Sequence, residues 1–447
     1  MAMPVDVGVV RAVRPYDEAP FGLFHLRLAV ASTGGVFSDG YGLGIVGVSL
    51  AQASSVLQLT PAWSGLLGAG SLAGLFAGAL LTGPFADRYG RRQTYAYNMA
   101  VLAGLSLLQF WLTAAWQLLI LRVTIGFVLG TDYVVSKALL IEYAPRRTRG
   151  QLLSTLSIAW AAGYVCAYFV GHALQGTGPG AWRWMLATGA VPALLIWPLR
   201  LGVPESPLWL TDHGFAERAA RIVHDKLGAE VDLPAGGALR TTQEWRWKQL
   251  LGPAWRRRTL VGCTFFTCQV IPYFALGTFI TEVISRLSAG HRDLGGAAYN
   301  AFLLLGSVLG FLIVDRISRR SFLIGSFAIT ALALLPLSLG LPLPAALIVA
   351  LLALFAGVLS SQASLVYVYL PELFPTELRA SGIGMGIAAS RLGSAASTFL
   401  LPVIMAYFGV HAALGACVAT LVTGCLACLI WAPETRGARL DALGEGR

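Results

Sequence analysis

The sequence predicts an all-α integral membrane protein, with twelve transmembrane helices arranged as two pseudo-symmetric six-helix bundles. Composition is the first observation: of 447 residues, 56% are hydrophobic and only 12% charged, with a mean hydropathy of +0.69. Spacing is the second. Charges gather in short runs, and the stretches between them approach the ~20 apolar residues that cross a bilayer core. Repetition is the third. The phrase EYAPRRTR at 142–149 returns as ELFPTELR at 372–379, an offset of 230. DRYGRR at 87–92 returns as DRISRR at 315–320, and PES at 204–206 returns as PET at 433–435. Three charged signatures in one order at one period mean two copies of one half.

The elements follow in order. Backbone groups in lipid must bond within their own segment, so each apolar stretch is a helix. The first bundle, 1–202, holds spans near 26–52, 62–85, 94–114, 117–141, 151–173 and 183–202. A polar linker, 203–256, separates it from the second bundle, 257–447. There the spans fall near 258–285, 296–314, 321–340, 344–370, 380–406 and 409–432, with a short tail behind them. In the linker, Phe215, Ala219, Ile222, Val223 and Leu227 share one helical face, and Glu217, Arg218, Arg221 and Lys226 lie elsewhere. That pattern predicts an amphipathic helix lying on the inner membrane surface. The runs WRWK at 245–248 and RRR at 256–258 suit an anionic headgroup layer.

Charge sets the orientation. An even number of spans puts both termini on one side. About 26 of the 32 Lys and Arg fall in the termini and the even-numbered loops. Both termini are therefore expected in the cytoplasm, with the chain in the inner membrane. The net charge of +10 is this bias, and no basic patch on a soluble module points to nucleic acid. The polar first 25 residues show no cleavable signal. All six cysteines fall inside spans without His partners, which reads as buried free thiols. Trp182-Arg183-Trp184 reads as an interfacial anchor. Nucleotide-binding glycine loops and catalytic triads are absent, so the chain is not expected to be an enzyme. No cofactor is expected; the proton gradient is the energy source. The expected partners are a small-molecule substrate, protons and membrane lipids, with the chain a monomer.

Five motifs now support a family resemblance. GPFADRYGRR at 83–92 resembles the loop signature of the major facilitator superfamily, between spans 2 and 3 where that family has it. RVTIGFVLG at 122–130 is similar to its fourth-helix motif. PESPLWL at 204–210, PELFP at 371–375 and PETRG at 433–437 resemble the sugar porters and their metabolite-symporter relatives. The resemblance spans essentially the whole chain and implies a transporter of the major facilitator fold. The seventh span departs from true sugar porters, carrying CQVIPYF at 268–274, and the fifth offers Trp160 and Tyr164 where they carry a Gln. FSDGY at 37–41 and GTDY at 130–133 resemble instead the bacterial metabolite:proton symporters, phosphate and organic-acid carriers among them.

The repeated phrases put acids and bases at matching helix ends. Glu142 and Glu372 end spans 4 and 10, where a helix C-terminus repels an anion. They need cationic partners, and Arg149 and Arg379 lie in the same loops. With Asp87, Arg88, Arg91, Asp315 and Arg316 they are the candidate cytoplasmic gate, an ion-pair network bracing the two bundles. The plainer alternative is that these charges only set topology. Ser318 stands where the first copy has Gly90, so the turn in the second half is expected to differ.

Ionisable groups inside spans are costly unless used. Asp39, midway along span 1, and Asp132, midway along span 4, are the candidate proton sites. Burial disfavours the charged form of any carboxyl, and a carboxyl loaded on one side and emptied on the other is the minimal chemistry of proton coupling. The alternative is a carboxyl bonded to backbone or to Arg122. Arg391 in span 11 keeps its charge and calls for a substrate carboxylate or phosphate, a protein acid, or backbone carbonyls. Lys137 is close enough to the span end to snorkel. Tyr41, Tyr133, Trp160, Tyr164, Gln269, Tyr273, Gln362 and Tyr367 complete the candidate substrate site, since aromatics stack on rings and amides bond hydroxyls; each is equally readable as interhelical packing. The function expected is proton-coupled symport of a small polar metabolite, a sugar or organic acid, by alternating access. The alternative is a proton-antiport exporter of a toxic or self-made small molecule.

Overall fold

The computed structural model describes residues 14–233, 247–287, 292–314, 316–374 and 376–435. Asp315 lies outside them, as do the side chains of Asp87, Tyr367 and Arg379. The described residues are almost entirely α-helical. The first half comprises α1 (Leu23–Val56), α2 (Pro61–Tyr89), α3 (Arg92–Leu108), α4 (Ala115–Tyr143), α5 (Arg146–Leu174), and α6 (Ala181–Ala187) with α7 (Ala190–Arg200). Short helices α8 (Pro207–Asp212), α9 (Ala216–Lys226) and α10 (Trp247–Leu250) occupy the linker. The second half comprises α11 (Arg256–Leu287), α12 (Arg292–Ile313), α13 (Arg319–Ser338), α14 (Ala345–Gln362) with α15 (Ser364–Glu372), and α16 (Thr376–Trp431). Among the described residues eight helices are long and apolar enough to cross a membrane. Of the other expected spans, the first is the long helix α1, the third is the 17-residue α3, the sixth is interrupted and the last is fused to its neighbour. Span 6 is α6 plus α7, and span 10 is α14 plus α15. The last two run together as α16, broken at Gly409, whose φ of +86° only glycine adopts without strain.

Both halves use one packing plan. In the first, α1 lies on α5, α2 on α4 and α3 on α7; in the second, α11 lies on the front of α16, α12 on α14 and α13 on its rear. Small residues make the close approaches, as expected where lipid supplies no hydrophobic drive between helices. A methyl on Gly40 would strike the Trp160 carbonyl and one on Gly163 the Phe37 carbonyl, so α1 and α5 touch backbone to backbone. The halves meet through α2 against α16, α5 against α12 and α1 against α11.

Two sequence expectations change here. Helix α9 forms, but part of its apolar face is covered by protein: Val223 and Leu227 cluster with Tyr16, Leu140 and Tyr143 of the first half, while Phe215 stays exposed. The N-terminal segment holds this linker in place, with Arg14 N–H donating to the Glu230 carbonyl at 2.7 Å and Asp232 N–H to the Arg14 carbonyl at 2.8 Å. Of the expected anchor, Trp184 is exposed, whereas Trp182 is fully buried, because α6 turns it inward against α1 and α3.

Candidate functional site

At the face that carries Arg14 and Thr435, the repeated phrases build one network twice. In the first half Arg91 forms a buried ion pair with Glu142. The Glu205 carboxylate accepts the backbone N–H groups of Arg91 and Arg92 at 3.0 Å and of Ser206 at 3.1 Å. It therefore caps the start of α3, where unpaired donors and the helix dipole favour an anion. Tyr143 Oη donates to the Glu205 carbonyl at 2.9 Å. In the second half Arg319 Nε lies 3.5 Å from Glu372 Oε2. Glu434 accepts the N–H groups of Arg319 at 3.0 Å and Arg320 at 3.1 Å. Tyr369 Oη donates to the Pro433 carbonyl at 2.9 Å, and Thr435 Oγ1 to Glu372 at 2.5 Å.

The pairing differs from the sequence expectation. Glu142 is met by Arg91, not by Arg149, which instead donates to the Ala144 carbonyl at 3.0–3.1 Å, closing the end of α4, and to Asp17 at 2.7 Å. The described pairs at this face each join groups of one half, where the expectation was a brace between halves. Arg88 and Arg316 are exposed. The expected change of turn is present. Gly90 closes α2 with a φ of +89°, whereas Ser318 caps α13 with its hydroxyl and also donates to Glu434 at 2.5 Å.

The opposite face is where the halves close on each other. Tyr168 packs against Gly296, Tyr164 Oη reaches Gly277 and Thr278 of α11, Gly47 faces the Thr278 carbonyl, and Gly65 faces that of Phe399. Below this seam lies a cavity of about 90 Å³. Four helices carry both features, and on each the cavity residue precedes the seam residue by eight positions: Asp39 and Gly47 on α1, Trp160 and Tyr168 on α5, Gln269 and Gly277 on α11, Arg391 and Phe399 on α16. Eight residues of helix rise ~12 Å. The cavity floor and the seam are therefore two parallel layers.

Of the expected site residues, Asp39, Tyr133, Trp160, Gln269, Tyr273 and Arg391 line that cavity. Asp39 is 2% exposed, and neither carboxyl oxygen has a hydrogen-bond partner among the described residues. The charges of Asp132, Arg200 and Lys137 act on it. The Arg391 guanidinium makes no hydrogen bond or ion pair among the described residues. Its buried Nε lacks an acceptor, and it lies 5.8 Å from the rings of Tyr133 and Phe274. Lys137 Nζ lies 3.3 Å from the centre of the Tyr133 ring. Trp160 packs on Tyr273 and Phe274, with ring centres 5.9 and 5.8 Å away.

Four expected site residues lie elsewhere. Asp132 is bound by Arg200 through both carboxylate oxygens, with Asn98 donating at 3.3 Å. Tyr41 turns to span 6 and donates to Thr188 at 2.8 Å. Tyr164 stacks under Trp160 and belongs to the seam. Gln362 is fully buried off the cavity. Arg122 reaches the Gly42 carbonyl on α1 at 3.0 Å, which ties α4 to α1. Sequence reasoning missed Phe274 and the hydroxyls of Ser157, Ser360 and Ser364. Ser360 and Ser364 stand four apart in an apolar span, a signal that was readable.

Comparison with known proteins agrees with this architecture. Residues 28–445 match the family described as Sugar (and other) transporter. The chain belongs to that family. It is accordingly a multi-pass membrane transporter of the major facilitator superfamily and not an enzyme. Within the family it is 38% identical to the inner membrane metabolite transport protein YgcS of Escherichia coli over 429 residues, 96% of each chain. It is 34% identical to the putative metabolite transport protein YaaU of the same organism, again over 96% of each. Its fold matches the xylose transporter XylE from E. coli in a partially occluded inward-open conformation, with a TM-score of 0.77 at 21% identity, covering 94% of this chain and 100% of that one.

Proposed function

We propose that this transporter couples the movement of a small polar metabolite across the inner membrane to a proton carried by Asp39. The observation that carries the reading is the contrast between two carboxyls. Asp132 has a permanent counter-ion in Arg200 and gains nothing by taking a proton. Asp39 lies in the cavity wall with no hydrogen-bond partner among the described residues, so a proton removes a buried charge that no hydrogen bond satisfies. A structural neighbour supports the coupling, since XylE is a proton:xylose symporter.

With both termini in the cytoplasm, as the Lys and Arg distribution favours, the closed seam faces outward and the cavity belongs to an inward-facing state. The two Arg–Glu–Glu networks then make each half a rigid body at its cytoplasmic end, and the halves rock about the central site. The residues expected as a gate that the structure describes act first within each half.

The test is transport by the full chain in liposomes over a panel of sugars, organic acids and aromatic acids, with an imposed pH gradient. Gradient-driven uptake should be lost in Asp39→Asn, while exchange of substrate at equal pH persists. Accumulation that ignores the gradient, or survives Asp39→Asn unchanged, overturns the assignment. The sign of the gradient that drives movement separates import from export.

A further inference from the structure

We infer that the cavity selects an organic monoanion carrying a small ring, an aromatic or heteroaromatic carboxylate, with its charge on Arg391 and its ring against Trp160, Tyr273 and Phe274. This deepens the carrier reading above and rests on it.

Charge is the first ground. A guanidinium does not give up its proton in proteins, and an ion inside a membrane span is expensive until it is paired. Arg391 is 8% exposed, lines the cavity, and has no acid or hydrogen-bond acceptor among the described residues. Lys137, over the Tyr133 ring, is not among the cavity-lining residues. With Asp39 protonated, the cavity lining presents one cation, Arg391, and no anion. In that loaded state Arg391 is an excess positive charge with no answering anion in the lining. A neutral sugar leaves that excess unanswered, whereas one carboxylate answers it and accepts a charge-assisted, bidentate pair.

Shape is the second ground. Trp160 packs on both Tyr273 and Phe274, whose own ring centres are 5.4 Å apart, and Phe274 also faces Arg391. An apolar aromatic wall thus meets a cation at one edge, which fits a flat ring with an acid on its rim. Protonation also fits the chemistry: a proton on Asp39 travelling with a monoanion moves no net charge.

The experiment is binding to the purified full chain in nanodiscs by calorimetry, using benzoate, benzamide, propionate and D-xylose. Benzoate differs from benzamide only in its charged group and from propionate in its ring. Benzoate should bind about tenfold or more tighter than either, the margin a charge-assisted pair supports. Arg391→Gln should erase the benzoate–benzamide difference, and Arg391→Lys should restore part of it. Trp160→Leu should erase the benzoate–propionate difference. The wild-type comparison stands even if a variant fails to fold. Equal binding of benzoate and benzamide, or D-xylose binding that Arg391→Gln leaves intact, overturns the inference. Liposome transport separates the two readings. Gradient-driven uptake of D-xylose but not benzoate sinks the substrate class and keeps the carrier. Benzoate binding with no transport of any probe keeps the site and sinks the carrier.

Discussion

Arg200, at the end of the sixth span, holds Asp132, in the middle of the fourth, through both carboxylate oxygens. Both side chains are wholly buried, and the guanidinium lies 4.4 Å from the centre of the Tyr95 ring. The pair locks three spans of the first half together: α4 through Asp132, α7 through Arg200, and α3 through Tyr95 and Asn98.

Removing one member leaves the other charged and alone. Asp132→Asn and Arg200→Gln should each lower stability by ~3–5 kcal/mol, read as a fall in melting temperature of the detergent-purified chain. The double variant Asp132→Leu/Arg200→Met should recover most of the loss. Asp39→Asn, by contrast, should leave the melting temperature unchanged or raise it, since Asp39 has no partner to lose. A fall for Asp39→Asn as large as that for Asp132→Asn would put an unseen counter-ion beside Asp39.

The two arginines near Glu142 are predicted to differ. Arg91→Gln breaks a buried pair and should cost ~3 kcal/mol or more. Arg149→Gln breaks a partly exposed pair with Asp17 and the bonds to the Ala144 carbonyl, and should cost less than the buried pair, ~1–2 kcal/mol. Chemical unfolding of the two variants measures this, and a reversed order would return Glu142 to Arg149.

Glu205 and Glu434 do the same work in different halves. Glu205→Gln and Glu434→Gln each weaken several charge-assisted bonds to backbone donors, at ~1.5–3 kcal/mol apiece. Because the two share no hydrogen-bond partner among the described residues, the double variant should lose the sum of the two within ~0.5 kcal/mol. Strong non-additivity would show that the networks touch across the halves.

The seam depends on backbone approach. Gly65→Leu or Gly47→Leu places a side chain against a carbonyl of the other half and should hold the seam open. Transport should fall by more than ~tenfold, a penalty of at least ~1.4 kcal/mol on the closed state. A single cysteine placed at Ser360, with the native cysteines replaced, should become more reactive to a reagent added from the outside. Unchanged reactivity in both variants would mean that the seam is not what seals the cavity.

Much of this was legible beforehand because it is written locally. Span lengths follow from apolar runs, and the kink at Gly409 falls where the sequence separates its last two spans. Asp39 and Arg391 stand out because a charge inside an apolar run has few structural uses. What escaped was partnership. Asp132 and Asp39 look alike along the chain, each a lone acid midway along a span. Arg200, 68 residues beyond Asp132, sits at a span end where an arginine ordinarily only marks the cytoplasmic side. The third repeat, PES and PET, contained the missing acids of the two networks, Glu205 and Glu434. Its spacing gave no sign that they reach back to the starts of α3 and α13.

The sequence by itself determined the solvent, the helices, the duplication and the family, because hydropathy and repeat period are properties of consecutive residues. Tertiary structure alone decided which charges are spent on holding the fold and which are left facing the cavity. Electrostatic free energy depends on distance in space and on burial, and neither can be read from order along the chain.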